Sequence, residues 1–324
     1  MTDPLEPVEP DPAGGNSGEP PVRRGHERER DLAEIIFLGP NGVRAGWRAT
    51  LYVAIFVIIE FALQSLIALD PFASVADLLN TPEVLLVREL VLIAGALGAA
   101  QVMALIERRN VGAYGVPWRR AFSARFWQGA LWGIVQLSAM MLLIAAWHGY
   151  SFGGLALGRG MAIDYALRWA VVFLAVGFAE EFLFRGYLLY TLTEGVGFWP
   201  AALLLSLIFG AVHLHNPGEG VVGALSVFTI GLFLCLTLRS TGDLWLAIGW
   251  HAAFDFGETY LYSVPNSGLV MPGHLFAASL HGARWLTGGS VGPEGSAFSF
   301  AVLAVTAVAF NFVYRRHNAS TRND

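Results

Sequence analysis

Long apolar runs separated by short polar breaks set the layout of the chain, and about 20 apolar residues are what a helix needs to cross a hydrocarbon core. Such runs occupy about 47–69, closed by Asp70-Pro71, then about 89–106, closed by Glu107-Arg108-Arg109, and about 126–147. A Gly-rich loop over 153–160 leads into a long helical run at about 165–193, and four further runs follow at about 198–213, 221–238, 244–262 and 298–314. Pro200 falls in the first turn of the fifth run, where a proline fits a helix start. Ahead of all of them, 1–33 holds six prolines and many acids without the apolar core of a signal peptide, and reads as a disordered tail. A short interfacial turn of helix is expected at about 31–38, ended by Gly39-Pro40-Asn41-Gly42. The pattern therefore predicts an all-α polytopic membrane protein of about eight transmembrane helices. It divides into a cytoplasmic tail with its interfacial segment (1–43), N-terminal transmembrane helices (44–164), a core (165–262), and a loop with the last helix and a short tail (263–324).

Composition fixes the solvent. The 324 residues are 55% hydrophobic and 14% charged, against roughly 25% charged in a soluble domain, and mean hydropathy is +0.54. The lone cysteine, Cys235, excludes an internal disulfide and a thiolate metal cluster within one chain. All 20 basic residues are arginine, which suggests GC-rich prokaryotic coding. With an even number of spans and the amino terminus inside, fifteen arginines fall in cytoplasmic segments, and only Arg88, Arg159, Arg168 and Arg284 fall in the others. That positive-inside bias places both termini in the cytoplasm of a prokaryotic membrane. No internal repeat supports an inverted-repeat transporter, and nothing points to nucleic acid as a partner.

Charges inside the spans are the anomaly. Each costs about 2.5–3.5 kcal/mol at mid-bilayer on the gentlest scale, yet the fourth run carries Glu180, Glu181 and Arg185 within six residues. Residues four apart share a helix face, so Glu181 pairs with Arg185. Glu180, rotated by about 100°, is left for another partner. The fifth span sets His213 four residues after Phe209, and the seventh sets His251 four before Asp255, with Glu258 three further on. One shared cavity accounts for all three sets at once. Two imidazoles and a carboxylate (Glu180, His213 and His251) suit a divalent metal such as zinc, with Glu180 placed to take a proton from water. Ser206 and Cys235 lie in spans without a base at helical spacing, so neither is a nucleophile candidate.

Glu-Glu-x-x-x-Arg at 180–185, Phe-x-x-x-His at 209–213 and His-x-x-x-Asp at 251–255, in that order on successive late spans, resemble the CPBP family of intramembrane proteases, also called the CAAX protease, bacteriocin-processing or Abi family. The resemblance covers about 165–262. It implies that Glu180 and His213 activate the attacking water and that His251 and Asp255 stabilise the oxyanion. Glu181, Arg185 and Phe209 then support the site, and the family is described as metalloproteases. Asp255 stands where Asn is commoner. Ionised, it cannot donate a hydrogen bond, so it is protonated, orients His251, or ligates a metal. The expected substrate is a membrane-anchored peptide or protein, and literal CAAX trimming is not expected in a prokaryote. A proton-coupled transporter, or a non-proteolytic scaffold or immunity factor of the same fold, uses the same residues differently. Helix depth poses a conflict: counted from the cytoplasmic ends, His251 lies about 12 Å deep and His213 about 22 Å. The loop over 263–297, with His274 and His281, has no pattern that assigns it a task.

Overall fold

The computed structural model describes residues 36–39, 42–68, 81–216 and 218–320, with side chains as far as 314. The tail expected over 1–33 and the Asp70-Pro71 break lie outside the described residues. The chain is an all-α membrane protein with little sheet. Its helices are α1 (Ala45–Ala68), α2 (Pro82–Glu107), α3 (Ala124–Ala146), α4 (Arg159–Arg185), α5 (Tyr187–Val196), α6 (Phe198–His213), α7 (Val221–Thr241), α8 (Trp245–Phe256), the one-turn α9 (Arg284–Thr287) and α10 (Ala297–Ser320). β1 (Leu38–Gly39) pairs antiparallel with β2 (Gly42–Val43), so the interfacial segment ends in a small hairpin. β3 (Tyr150–Ser151) pairs with β4 (Ser279–Leu280) and ties the segment after α3 to the segment before α10.

Among the described residues, six helical stretches are long and apolar enough to cross a membrane, while α6 is apolar but only 16 residues long. Large side chains such as Phe61, Leu142 and Val308 point outward, as a lipid-facing surface requires. The stretch 159–196 counts 38 residues, which as one straight helix would reach about 57 Å, close to twice a hydrocarbon core. It does not run straight. Gly186 leaves the helical region (φ −80°, ψ −116°), and a Cβ there would stand 2.3 Å from the carbonyl oxygen of Phe182. The single run expected over 165–193 is thus two helices. The second, α5, carries Glu194 to Arg48 and Arg109, and Arg109 also reaches the Tyr190 hydroxyl. The second span likewise begins at Pro82 rather than near 89, with Thr81 capping it by accepting from the Val84 N–H.

At the centre lies α8, every residue of which from Trp245 to Ala252 is buried. Its start is sunk below the bundle surface, because Asp243, fully buried, is reached there by Arg125 at 2.5 Å and Arg120 at 3.3 Å. The depth difference expected between His251 and His213 does not keep them apart, since both line one cavity. α3 crosses α8 nearly backbone to backbone: a Cβ on Gly129 would lie 2.0 Å from the Leu246 carbonyl oxygen, and one on Gly133 2.4 Å from that of Trp250. Small residues at such spacing let helices close where lipid supplies no hydrophobic drive. Gly133→Val is accordingly expected to destabilise the detergent-solubilised protein by about 1–3 kcal/mol through overpacking against backbone. Leu142→Ala, on the lipid-facing side of the same helix, should leave thermal unfolding nearly unchanged, and comparing the two melting curves checks the claim.

Candidate active site

A cavity of about 230 Å³ opens where the start of α2, the middle of α4, the end of α6 and the second half of α8 converge beneath the 263–297 segment. It is lined by Glu180, His213, His251 and Asp255, so the structure brings all four candidate residues to one space.

His251 organises the arrangement. Its Nδ1 lies 2.9 Å from Oε1 of Glu181, the oxygen that also takes the Arg185 Nη1–H at 3.0 Å. A carboxylate engaged by an arginine is an acceptor, so Nδ1 of His251 carries the proton and donates it. The other ring nitrogen, Nε2, faces the cavity with Oε2 of Glu180 at 3.6 Å and Oδ2 of Asp255 at 3.5 Å. The two adjacent glutamates are therefore divided between the two nitrogens of one ring. Glu181 is fully buried, while the Glu180 side chain keeps 23% exposure. Sequence spacing paired Glu181 only with Arg185, and its bond to His251 crosses helices. Of the readings open for Asp255, its position beside Nε2 fits one that orients and charges His251.

Below this pair, the Arg185 guanidinium stacks on the Phe209 ring with its centre 4.2 Å from the centroid. The Phe209 ring in turn meets His213 edge-on at 4.7 Å. Nδ1 of His213 is 2.8 Å from the Phe209 carbonyl, which can only accept, so Nδ1–H is again the donor and Nε2 is left with its lone pair. Glu181, Arg185 and Phe209 thus form one continuous support from His251 to His213.

Several lining groups had no signal strong enough to single them out. Glu89 of α2 is buried and has one oxygen without a hydrogen-bond donor. Its charge beside Arg88 resembles a span boundary, and only the folded chain shows α2 continuing past it. Asn266, Ser267 and Glu294 come from the 263–297 segment, with the Ser267 hydroxyl donating to Glu294 at 2.9 Å. Glu258, expected on the cavity with His251 and Asp255, does not line it and sits fully buried in the π-helical turn Gly257–Leu261. Outside the spans, burial and the neighbouring Glu294 push the Glu219 carboxyl above its ordinary range. His215, His274 and His281 do not line the cavity, and Ser206 and Cys235 face each other at 3.9 Å in the core away from it.

Residues 162–257, which span these motifs, match the family model described as type II CAAX prenyl endopeptidase Rce1-like. This segment is thus similar to the CAAX protease family. The match takes in α4 through α8, hence every motif residue, and leaves α1–α3 and the 263–297 segment outside it. No curated protein matches the chain. The six membrane-length apolar stretches among the described residues make this an integral, multi-pass membrane protein in contact with the lipid bilayer. The metal expected on Glu180, His213 and His251 does not fit the side chains as they stand. Among the described residues no three His, Cys, Asp or Glu groups are gathered closely enough to act as its ligands.

The support network has a testable asymmetry. Arg185→Leu strands a buried carboxylate and should cost about 3–5 kcal/mol. Adding Glu181→Leu should restore much of that stability in thermal melts without restoring activity, because Nδ1 of His251 loses its acceptor. Full recovery of both would show that Glu181 acts on Arg185 alone.

Proposed function

We propose that the chain is an intramembrane endopeptidase that hydrolyses a peptide bond of a membrane-associated substrate, with Glu180 as general base. The division of Glu180 and Glu181 between the two nitrogens of His251 carries this reading. It leaves one carboxylate locked in structure and one, partly exposed, at the cavity surface. A water held between Glu180 and His213, whose Nε2 lone pair is free, loses a proton to Glu180 as its oxygen attacks the substrate carbonyl carbon. The developing oxyanion lies beside His251, which in its protonated form offers Nε2–H as a donor while Asp255 balances its charge. Glu180 then returns the proton to the leaving amide nitrogen, the C–N bond breaks as the oxyanion collapses, and a carboxylic acid and an amine are released.

The arginine distribution supports a cytoplasmic placement of both termini, and the lysine-free composition supports a prokaryotic membrane in which the substrate is an anchored peptide or protein other than a prenylated one. Glu180→Gln keeps size and shape but removes the base. Assayed as purified protein on a panel of membrane-anchored peptides, it should lower cleavage by about 10²–10⁴-fold. Equal cleavage by variant and wild type would overturn the mechanism. Absence of cleavage by both, with substrate-dependent flux in proteoliposomes, would favour a transporter.

A further inference from the structure

We infer that α1 is a self-association helix, which pairs with α1 of a second copy so that the protein stands in the membrane as a two-fold dimer. α1 contributes nothing to the cavity lining and lies outside the matched segment, so the inference does not depend on the endopeptidase reading.

The fold uses α1 least of its spans. Only 6% of its apolar window is buried, against 22–56% in the other five membrane-length stretches among the described residues. One side rests on α2: a Cβ on Gly95 would lie 2.9 Å from Oε2 of Glu60, and one on Gly98 3.0 Å from Cδ1 of Ile59. The buried Tyr52 belongs to that side and donates its hydroxyl to the Ala96 carbonyl at 3.3 Å. Beyond this contact, Gly46, Thr50, Val53, Val57 and Gln64 are all exposed, at steps of four, three, four and seven residues. That is the 3.5-residue period of a seam that supercoils with another helix. Its members are small, β-branched or polar, whereas the bulky Trp47, Leu51, Ile58 and Phe61 stand on the adjoining arc. Valines hold one rotamer in a helix and so lose little freedom when a partner packs on them.

Gln64 decides that the seam meets protein rather than lipid. It follows Arg48, which Glu107 and Glu194 hold at one end of the bundle, by about 24 Å of helix, and so lies inside a hydrocarbon layer of ~30 Å. Its amide donates one N–H to Oε1 of Glu60 at 3.0 Å. Among the described residues, its second N–H and its carbonyl have no partner. Across lipid, such groups are satisfied by another helix. Two copies in one membrane share an orientation, so a two-fold axis along the membrane normal sets their α1 helices parallel, with each residue opposite its own counterpart. A carboxylate cannot satisfy its own copy in that arrangement. An amide can, because it carries donor and acceptor together, and each Gln64 gives its free N–H to the carbonyl of the other. Thr50 makes no such demand, since its hydroxyl already donates to the Gly46 carbonyl at 3.0 Å.

The test uses the full chain in native membranes with its only cysteine replaced, Cys235→Ala. Under mild oxidation, Val53→Cys and Val57→Cys should form linked homodimers about fivefold or more faster than Leu51→Cys and Ile58→Cys, which are comparably exposed but off the seam. Only seam positions bring two Cα atoms within the ~7 Å that a disulfide spans. In liposomes, energy transfer between donor- and acceptor-tagged copies should show Gln64→Leu weakening association about three- to tenfold. Gln64→Asn, which keeps donor and acceptor, should recover most of that loss, and the melting curves of both variants should match wild type. Equal linking on and off the seam, association unmoved by Gln64→Leu, loss of association only alongside a lowered melting temperature, or Val57→Cys linking to another membrane protein and not to its own copy would overturn the inference.

Discussion

The carboxylate of Glu181, fully buried, accepts at the same oxygen from Arg185 and from His251. Breaking either contact leaves a charge or a donor stranded in a medium that solvates neither, a penalty larger than the contact's own net contribution. That asymmetry makes the pair a strong constraint on how α4 and α8 sit together. It fixes the His251 ring at Nδ1, and a ring fixed at one nitrogen presents the other in a single direction. Glu180, Asp255 and the cavity all lie in that direction. Arg185 extends the same constraint to Phe209, and the Phe209 carbonyl sets the tautomer of His213. One buried anion thereby orients two imidazoles on two further helices.

Helix packing makes this geometry reachable. His251 stands midway along α8 and His213 at the end of α6, and both line one cavity. The buried Asp243, satisfied by Arg120 and Arg125, anchors the start of α8. The backbone contact with α3 at Gly129 and Gly133 holds it there. The polar anchor and the glycine contact lie outside the catalytic motifs and hold the helix that carries His251 and Asp255.

Features governed by the bilayer were legible in the chain: the spans follow hydropathy because their length is set by the hydrocarbon. The i,i+4 pairs were legible too, as Glu181 with Arg185 and His251 with Asp255 both show. What failed was decided between elements. The apolar pattern runs through Gly186 unbroken, so the change of backbone direction there is invisible without the close Phe182 carbonyl, which leaves no room for a Cβ. Glu89 read as a span boundary because a charge in an apolar run has that appearance until the cavity it lines is known. The 263–297 segment carries no periodicity since its shape comes from hydrogen bonds to 216–218 and from its own turns. The bond between His251 and Glu181 joins residues 70 positions apart, beyond any spacing rule.

The tautomer of His251 tests the central claim most directly. Solid-state nitrogen NMR of histidine-labelled protein in bilayers, with the His251 signals assigned by difference against His251→Asn, reads the protonation of each ring nitrogen. The account predicts a hydrogen-bonded proton on Nδ1 in wild type, with a shift that changes in Glu181→Gln and holds in Glu180→Gln. An unprotonated Nδ1, or one that responds to Glu180 and not to Glu181, would contradict it.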